Sequence, residues 1–209
     1  GHSLTAVTQQ LCSRLGVATR LLPMSDHPVR TLLDCDTAAG PVTLSFQDYF
    51  VRQRAEPRVK AIHYQGAGQA PPAAALAATL TDPDLAAIFL APSNPWLSID
   101  PILAIPSIRA AVRSSHAPVV AVSPIVAGQA LKGPTAKIMR ELGLQPSAQA
   151  VAHHYRDLLG GLILDQADAG EAAAIIDTGI AVAATQTVMH TLDDRLKLAA
   201  FALGFAATL

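Results

Sequence analysis

The sequence is poor in aromatic residues and cysteine, and it has no excess of charge of either sign. Aromatic residues make up 4% of its 209 residues, so aliphatic side chains must form most of the core. Its two cysteines, Cys12 and Cys35, are not spaced like metal ligands, which favours reduced thiols in the cytoplasm. The 15 Lys and Arg residues against 16 Asp and Glu residues give a net charge of -1, and this balance predicts no nucleic-acid partner.

Long hydrophobic runs are also absent. The most apolar stretch, Leu196–Leu209, is shorter than the roughly 20 residues that cross a bilayer, and it contains Lys197 and Gly204. We therefore expect a buried terminal helix and no membrane partner. Gly1-His2-Ser3 leads directly into a helical pattern, so no signal peptide is expected at the start of the chain.

Residues 1–70 have the pattern of a mixed α+β portion. Ser3 can cap a helix that ends at Gly16, with its apolar positions at Leu4, Val7, Leu11 and Leu15. The segments that follow are predicted as strands at Thr19–Leu22, Val29–Leu33, Val42–Phe46 and Val59–Tyr64, with a short helix at Phe46–Arg54.

Residues 71–209 alternate between helix and strand. Helices are predicted at Ala73–Leu80, Ile108–Val112, Thr135–Leu142, Ala148–Leu159 and Glu171–Ile176. Apolar runs predict strands at Leu85–Leu90, Val119–Val122, Leu162–Leu164 and Ile180–Ala183. Strands that are apolar on both faces and separated by helices are typical of a parallel sheet covered on both sides. We expect one α/β domain over residues 1–209.

Two loops follow predicted parallel strands, where ligands bind in open α/β sheets. The first is Ala91-Pro92-Ser93-Asn94-Pro95, in which Ser93 and Asn94 offer hydroxyl and amide groups. The second is Ser123-Pro124-Ile125-Val126-Ala127-Gly128, which continues to Leu131-Lys132-Gly133-Pro134. Backbone N–H groups and one lysine can hold a phosphate there. Both loops are also compatible with plain turns, since Pro, Ser, Asn and Gly are turn formers, and neither has the Walker spacing.

The remaining polar residues leave alternatives open. Asp165 and Asp168 follow a buried strand, so they are either weak candidates for metal ligands or turn and cap residues. His153 and His154 are adjacent and would point in different directions on a helix, so they cannot share one metal ion. Asp193 and Asp194 have the pattern of first-turn charges at a helix start. No Ser/His/Asp set can be assembled.

The two loops belong to longer strings. The first joins Ala91-Pro-Ser-Asn-Pro95 to Ser98-Ile-Asp-Pro-Ile-Leu-Ala-Ile-Pro106, and the second joins Pro118-Val-Val-Ala-Val-Ser-Pro-Ile-Val126 to Leu131-Lys-Gly-Pro134. These strings and their separation resemble the signatures of the 2-phospho-L-lactate transferase (CofD) family. Other segments that resemble it are Phe46-Gln-Asp-Tyr-Phe-Val-Arg52 with Arg54, Leu162-Ile-Leu-Asp165 with Ala167-Asp168, and Thr187-Val-Met189.

The resemblance implies a Rossmann-like three-layer fold and a role in coenzyme F-420 biosynthesis. Such enzymes use a donor in which 2-phospholactate, phosphoenolpyruvate or a related phosphoacid is joined to GMP through a diphosphate. The terminal hydroxyl of the deazaflavin alcohol Fo attacks the distal phosphorus, GMP leaves, and Mg2+ assists. The residues that would hold the nucleotide and its diphosphate are Ser93, Asn94, Pro95, Ser123, Ile125, Val126, Gly128 and Lys132. Arg52 and Arg54 would contact an anionic substrate group, or else form surface ion pairs. A homodimer is common in such proteins.

The chain departs from the family pattern in one respect. The family begins with a glycine-rich strand-loop-helix that also supplies acidic metal ligands, and no such stretch occurs in this chain. We therefore expect the chain to match the C-terminal two-thirds of the family, and to be neither active nor very stable alone.

Two other functions compete with the transferase. The related gluconeogenesis-factor proteins are similar in the Ser-Ile-x-Pro region and are nucleotide-sugar-binding regulators without catalysis. Pro92-Ser-Asn-Pro95 and Lys132-Gly-Pro134 resemble the transferase instead. A nucleotide-dependent oxidoreductase is disfavoured because no GxGxxG follows any predicted strand.

Overall fold

The computed structural model describes residues 1–209 and contains three sheets. An antiparallel sheet of order β2-β1-β3 comprises β1 (Arg30–Thr37), β2 (Gly40–Ser45) and β3 (Arg58–Gln65). A parallel sheet of order β4-β5-β8-β9 comprises β4 (Ile88–Leu90), β5 (Val119–Val122), β8 (Gly161–Asp165) and β9 (Ala181–Thr185). Between β5 and β8 in sequence, β6 (Ile125–Val126) and β7 (Gln129–Ala130) form a small hairpin.

Eight α-helices connect or cover these strands. They are α1 (Leu4–Arg14), α2 (Ala74–Leu80), α3 (Asp100–Leu103), α4 (Pro106–Arg113), α5 (Thr135–Glu141), α6 (Ala148–His154), α7 (Ala172–Ile176) and α8 (Leu192–Ala206). One-turn π-helical segments occur at Asp48–Arg52 and Pro95–Ile99, and a 3-10 helix at Gln166–Glu171. None of the helices combines the length and the hydropathy needed to cross a bilayer.

The two faces of the parallel sheet are covered by different helices. Side chains alternate along a strand, so Val119, Ala121, Leu162 and Leu164 join the main core cluster, which also holds residues of α4, α5, α6 and α7. The opposite face presents Val120, Val122 and Ile163, which pack against Leu198, Ala202 and Ala206 of α8. The chain is therefore an α/β protein with a three-layer, Rossmann-like arrangement, as the strand and helix pattern predicts.

The antiparallel sheet shares the main core. Leu33, Tyr49 and Val59 lie in the same cluster of buried residues as Ile138 and Met139 of α5. Two polar contacts join β3 to α5: Lys137 Nζ donates to Pro57 O at 2.8 Å, and the Glu141 carboxylate accepts from Val59 N at 3.1 Å. The division into domains stays a prediction, and this shared core supports a single domain.

The structure differs from the predicted N-terminal region in two ways. The predicted apolar face of α1 is exposed, at 53% for Leu4, 53% for Leu11 and 76% for Leu15, so its periodicity does not mark a core contact. Thr19–Leu22 forms no strand. The segment after α1 pairs with no strand of a sheet, and the chain beyond it is held at Ser25, whose hydroxyl donates to Pro71 O at 2.6 Å.

The predicted buried terminal helix is also only partly right. It begins at Leu192 and buries Leu198, Ala202 and Ala206, while Leu196 and Leu203 are exposed on its other side. Residues spaced by four lie on one face of a helix, so the sheet covers a single stripe. Two other elements are shorter than predicted: α6 ends at His154, and β4 begins at Ile88, where its pairing with Val119 of β5 begins.

Candidate functional site

A cleft of about 720 Å³ lies at the carboxyl ends of the parallel strands. Its walls come from the loop after β4, the segment after β5 and the loop after β9, and residues of the antiparallel sheet region close it from another side. Parallel strands end at the same edge of a sheet, so loops far apart in sequence meet there. This is the place where the sequence predicted ligand-binding loops.

The loop after β4 presents an unpaired donor. Asn94 Oδ1 accepts from Leu97 N at 3.0 Å and thereby caps the π-helical segment Pro95–Ile99. This bond orients the amide, because the other amide atom, Nδ2, is then the donor. Asn94 Nδ2 is buried and has no hydrogen-bond partner in the protein. A buried donor without a partner is costly, so a ligand acceptor would satisfy it.

The segment after β5 is held in a defined shape. Ser123 is 2% exposed, and its hydroxyl donates to Ile125 O at 3.0 Å and accepts from Ile125 N at 3.2 Å. The β6–β7 hairpin then turns at Ala127 and Gly128, whose φ angles of +49° and +70° are those of a type I′ turn. The Asp168 carboxylate accepts a hydrogen bond from Ala127 N at 2.9 Å and thereby holds this turn in place.

The loop after β9 is anchored to the end of β8. Asp165 accepts from Thr187 N at 2.8 Å and from Thr187 Oγ1 at 3.0 Å. Burial acts to raise the pKa of Asp165, but the hydrogen bonds from Thr187, Ala167 and Val188 outweigh it and leave the pKa below its usual value. The ionised carboxylate therefore fixes the start of a loop that carries Val188, Met189 and His190 into the cleft.

The cleft is lined by basic side chains and by no acidic ones. Its lining includes Lys132, His190 and Arg195 and contains no Asp or Glu. Neither Lys132 nor Arg195 takes part in an ion pair. On the apolar side, Phe46 and Phe50 stack with ring centroids 5.4 Å apart. A basic cleft with an aromatic wall suits an anionic ligand that has a flat ring.

The structure brings together only some of the predicted site residues. Ser93, Asn94, Ser123, Val126 and Lys132 line the cleft, whereas Pro95, Ile125 and Gly128 belong to the same loops but do not line it. Arg52 and Arg54 are outside the cleft. Arg52 forms an exposed ion pair with Asp48 at 2.8 Å, which was the alternative that the sequence left open.

Sequence reasoning missed several lining residues, among them Phe46, Phe50, Thr187, His190 and Arg195. The signal for Thr187 and His190 was available, since they follow the predicted strand Ile180–Ala183 as the other loops follow theirs. No sequence signal pointed to Arg195, because its neighbours Asp193 and Asp194 indicate only the start of a helix.

The residues of this chain do not fit a magnesium site. Asp165 and Asp168 accept backbone N–H groups, as turn and cap residues do, and neither lines the cleft. No group of three or more His, Cys, Asp or Glu side chains could hold a metal ion. His154 pairs with Asp100 at 2.8 Å.

The chain is similar to proteins of known activity along its whole length. The phosphoenolpyruvate transferase of Kitasatospora aureofaciens is 39% identical over 207 residues, which cover 99% of this chain and 64% of that protein. The phosphoenolpyruvate transferase of Thermobifida fusca is 36% identical over 210 residues, covering all of this chain and 63% of that protein. The 2-phospho-L-lactate transferase of Methanosarcina acetivorans is 32% identical over 208 residues, covering all of this chain and 65% of that protein.

The chain thus spans a little under two thirds of the length of the curated relatives it matches. The model of the family described as 2-phospho-L-lactate transferase CofD matches residues 1–194. The two cleft loops that carry the predicted signatures lie inside this match. The chain belongs to the 2-phospho-L-lactate transferase CofD family.

Proposed function

We propose that the cleft binds a GMP-linked phosphoacid donor, and that the protein transfers the phosphoacid to the deazaflavin alcohol Fo in coenzyme F-420 biosynthesis. The relatives are named as phosphoenolpyruvate and 2-phospho-L-lactate transferases, which supports catalysis over a regulatory role without it. The observation that carries the proposal is a cleft lined by Lys132 and Arg195 and by no acidic residue, with a buried Asn94 Nδ2 that has no partner. Both features fit a diphosphate and favour an anionic over a cationic ligand.

The proposed reaction is a phosphoryl-type transfer, in which the phosphoacid passes from GMP to the hydroxyl of Fo. The terminal hydroxyl of Fo attacks the distal phosphorus, a new P–O bond forms, and the bond from that phosphorus to the bridging oxygen breaks. GMP leaves with the bridging oxygen, and the hydroxyl proton passes to solvent. Catalysis of this kind depends on positioning and on neutralising charge, which basic and N–H groups supply. No residue of the chain is assigned as the proton acceptor.

The chain's own residues would bind and orient the donor. Lys132 would reduce the negative charge of the diphosphate, and Asn94 would donate to one of its oxygens or to the nucleoside. The stacked Phe46 and Phe50 rings offer a surface for guanine or for the deazaflavin ring. Mg2+ belongs to the proposal only through the family, since no residues here fit it, and no step is derived from it. A reduced cytoplasmic setting, in keeping with the free thiols of Cys12 and Cys35, and a homodimer also stay proposals.

The proposal is tested by calorimetric titration of GDP into the full-length protein and its Lys132→Met variant. Methionine keeps the side chain's length and deletes the cation, so we expect GDP affinity to fall several-fold at low salt, and the difference to shrink as ionic strength rises. Lys60→Met is the matched control, because Lys60 pairs with Asp36 on the antiparallel sheet and does not line the cleft. Equal GDP affinity of the parent and the Lys132→Met variant at low salt would contradict the proposal.

A further inference from the structure

We propose that Arg195 and His190 form a second anion subsite, at the β9 end of the cleft, which binds the carboxylate of the transferred phosphoacid. The identity of this ligand rests on the proposed function, whereas the subsite itself rests on the placement and pairing of the side chains around α8. Both residues line the cleft, and neither side chain forms an ion pair within the chain, although the charge of His190 helps to lower the pKa of Asp194.

Arg195 is left unpaired although two acidic residues precede it. Asp193 forms an ion pair with Lys197 at 2.6 Å. Asp194 accepts from His190 N at 2.9 Å and from Thr191 N at 2.8 Å, which completes the capping box of α8. Each neighbouring carboxylate is therefore occupied by another partner. The guanidinium is free to meet an anion from outside the chain, and its planar fork matches a carboxylate.

The loop that carries the subsite is fixed at both ends. At one end, Asp165 accepts from the backbone and the hydroxyl of Thr187. At the other end, the Thr191 hydroxyl accepts from Asp194 N at 3.2 Å while Asp194 bonds back to the loop. The segment between these anchors presents His190 and leads into the first turn of α8, which presents Arg195. A loop held in this way loses little freedom when it binds a ligand.

The subsite and Asn94 follow strands at opposite edges of the parallel sheet. Asn94 follows β4 and His190 follows β9, and these are the two outer strands of the sheet. Three inter-strand steps separate them, or roughly 14 Å at about 4.8 Å a step. One phosphate group cannot reach both ends. The proposed donor has a diphosphate in its middle and a carboxylate at its acid end. Its negative groups are therefore separated along the molecule, and the basic residues of the cleft are separated in the same way.

The test compares three probes in calorimetric titrations: phosphoenolpyruvate, methyl phosphate, which lacks the carboxylate, and GDP. The variants are Arg195→Met and, as a control of equal chemistry, Arg113→Met, since Arg113 is exposed in the last turn of α4 and does not line the cleft. We expect Arg195→Met to weaken phosphoenolpyruvate binding about tenfold, a typical effect of losing a charged hydrogen-bonded pair, with GDP and methyl phosphate unchanged. Arg195→Lys should recover part of the loss, because it restores the charge but not the fork.

The outcomes separate this inference from the proposed function. Equal phosphoenolpyruvate affinity of the parent and Arg195→Met, or no binding by the parent, would overturn the carboxylate subsite and leave the GDP result untouched. A loss of GDP affinity as large as the loss for phosphoenolpyruvate would also overturn it, since Arg195 would then serve the diphosphate. Binding of phosphoenolpyruvate that depends on Arg195, with no GDP binding at all, would support the subsite and contradict the proposed donor.

Discussion

At the scale of single residues, the two polar atoms of the Asn94 amide have different roles in the cleft. Asn94 lines the cleft; one atom of its amide caps the segment Pro95–Ile99, and the other is buried without a partner. The same residue therefore has a local role and leaves a donor for a ligand. The two roles can be separated, because a carboxylate can replace the capping oxygen but cannot donate.

Asn94→Asp should abolish most GDP binding while leaving the fold intact. The carboxylate keeps an acceptor for Leu97 N but places an unpaired oxygen where Nδ2 is buried, so we expect the protein to stay folded with a somewhat lower thermal midpoint. It removes the donor and places a negative charge beside the diphosphate, and affinity should fall at least about tenfold. Calorimetric titration of GDP measures this. Gln69→Glu makes the same chemical change on an exposed residue outside the cleft and should bind like the parent; a similar loss there would refute the assignment.

Gly66 is a residue where the backbone itself admits no side chain. Its φ is +87°, and an added Cβ would lie 2.6 Å from the carbonyl oxygen of Pro28. Since that contact is with backbone, relief requires the chain to move. We expect Gly66→Ala to lower the free energy of unfolding by about 2 kcal/mol or more in urea titrations. Gly68→Ala, where nothing lies within 4 Å, should cost much less, and equal losses would contradict this account.

At the scale of elements, polar contacts between α5 and β3 hold the antiparallel sheet against the α/β layers. Glu141 accepts from the buried Val59 N, and its other oxygen pairs with Lys137 at 2.6 Å. Lys137 in turn donates to Pro57 O. Glu141 thus serves two groups, and its loss would leave Val59 N without an acceptor and Lys137 with Pro57 O as its remaining partner.

We expect Glu141→Ala to lower the free energy of unfolding by about 2 kcal/mol, chiefly because Val59 N stays buried without an acceptor. Chemical denaturation followed by circular dichroism measures the change. Glu56→Ala is the control, since Glu56 is exposed and its side chain has no hydrogen bond or ion pair. A Glu141→Ala variant as stable as the Glu56→Ala variant would show that the contact contributes nothing.

At the scale of the whole molecule, two carboxylates tie the loop between β9 and α8 into the fold, and the pKa of each is lowered. Hydrogen bonds from Thr191 and His190 lower the pKa of Asp194, and those from Thr187 and Ala167 outweigh burial at Asp165. The folded state then binds fewer protons than the unfolded state at acid pH. The resulting stability is present above the unfolded pKa of 3.8 and is lost as pH falls through the lower folded pKa.

The thermal midpoint should therefore fall steeply below about pH 4 and change little between about pH 5 and pH 7. Asp165→Asn cannot titrate, so its midpoint should be lower at neutral pH and fall less on acidification. Asp177→Asn, at an exposed position whose carboxylate makes no hydrogen bond or ion pair, should follow the parent. Scanning calorimetry at several pH values measures these slopes, and identical slopes for the parent and Asp165→Asn would exclude Asp165 as a source of acid sensitivity.

The sequence alone determined the fold class and the family. The apolar runs of β5 and β8 are buried along their whole length, and such runs between helices have no stable alternative to a covered parallel sheet. Local chemistry was equally legible: Ser3 caps α1, and Asp194 completes the capping box of α8, because caps act over three or four residues of one segment. The two loop signatures could also be read from the sequence, because each is a contiguous string. Both lie in the region that the family model matches.

Only the tertiary structure decided which of these groups have partners. The spacing of apolar residues in α1 predicted the helix correctly but did not predict that its apolar face is exposed. Such spacing shows which residues share one face of a helix, but not whether another element packs against that face. Asp165 and Asp168 had the position of metal ligands, yet their oxygens bond to N–H groups of Thr187 and Ala127, residues 22 and 41 positions away. Arg195 lines the cleft because the loops after β4, β5 and β9 meet at one edge of the sheet, and it makes no ion pair there. Such convergence depends on contacts between distant segments, which no local pattern records.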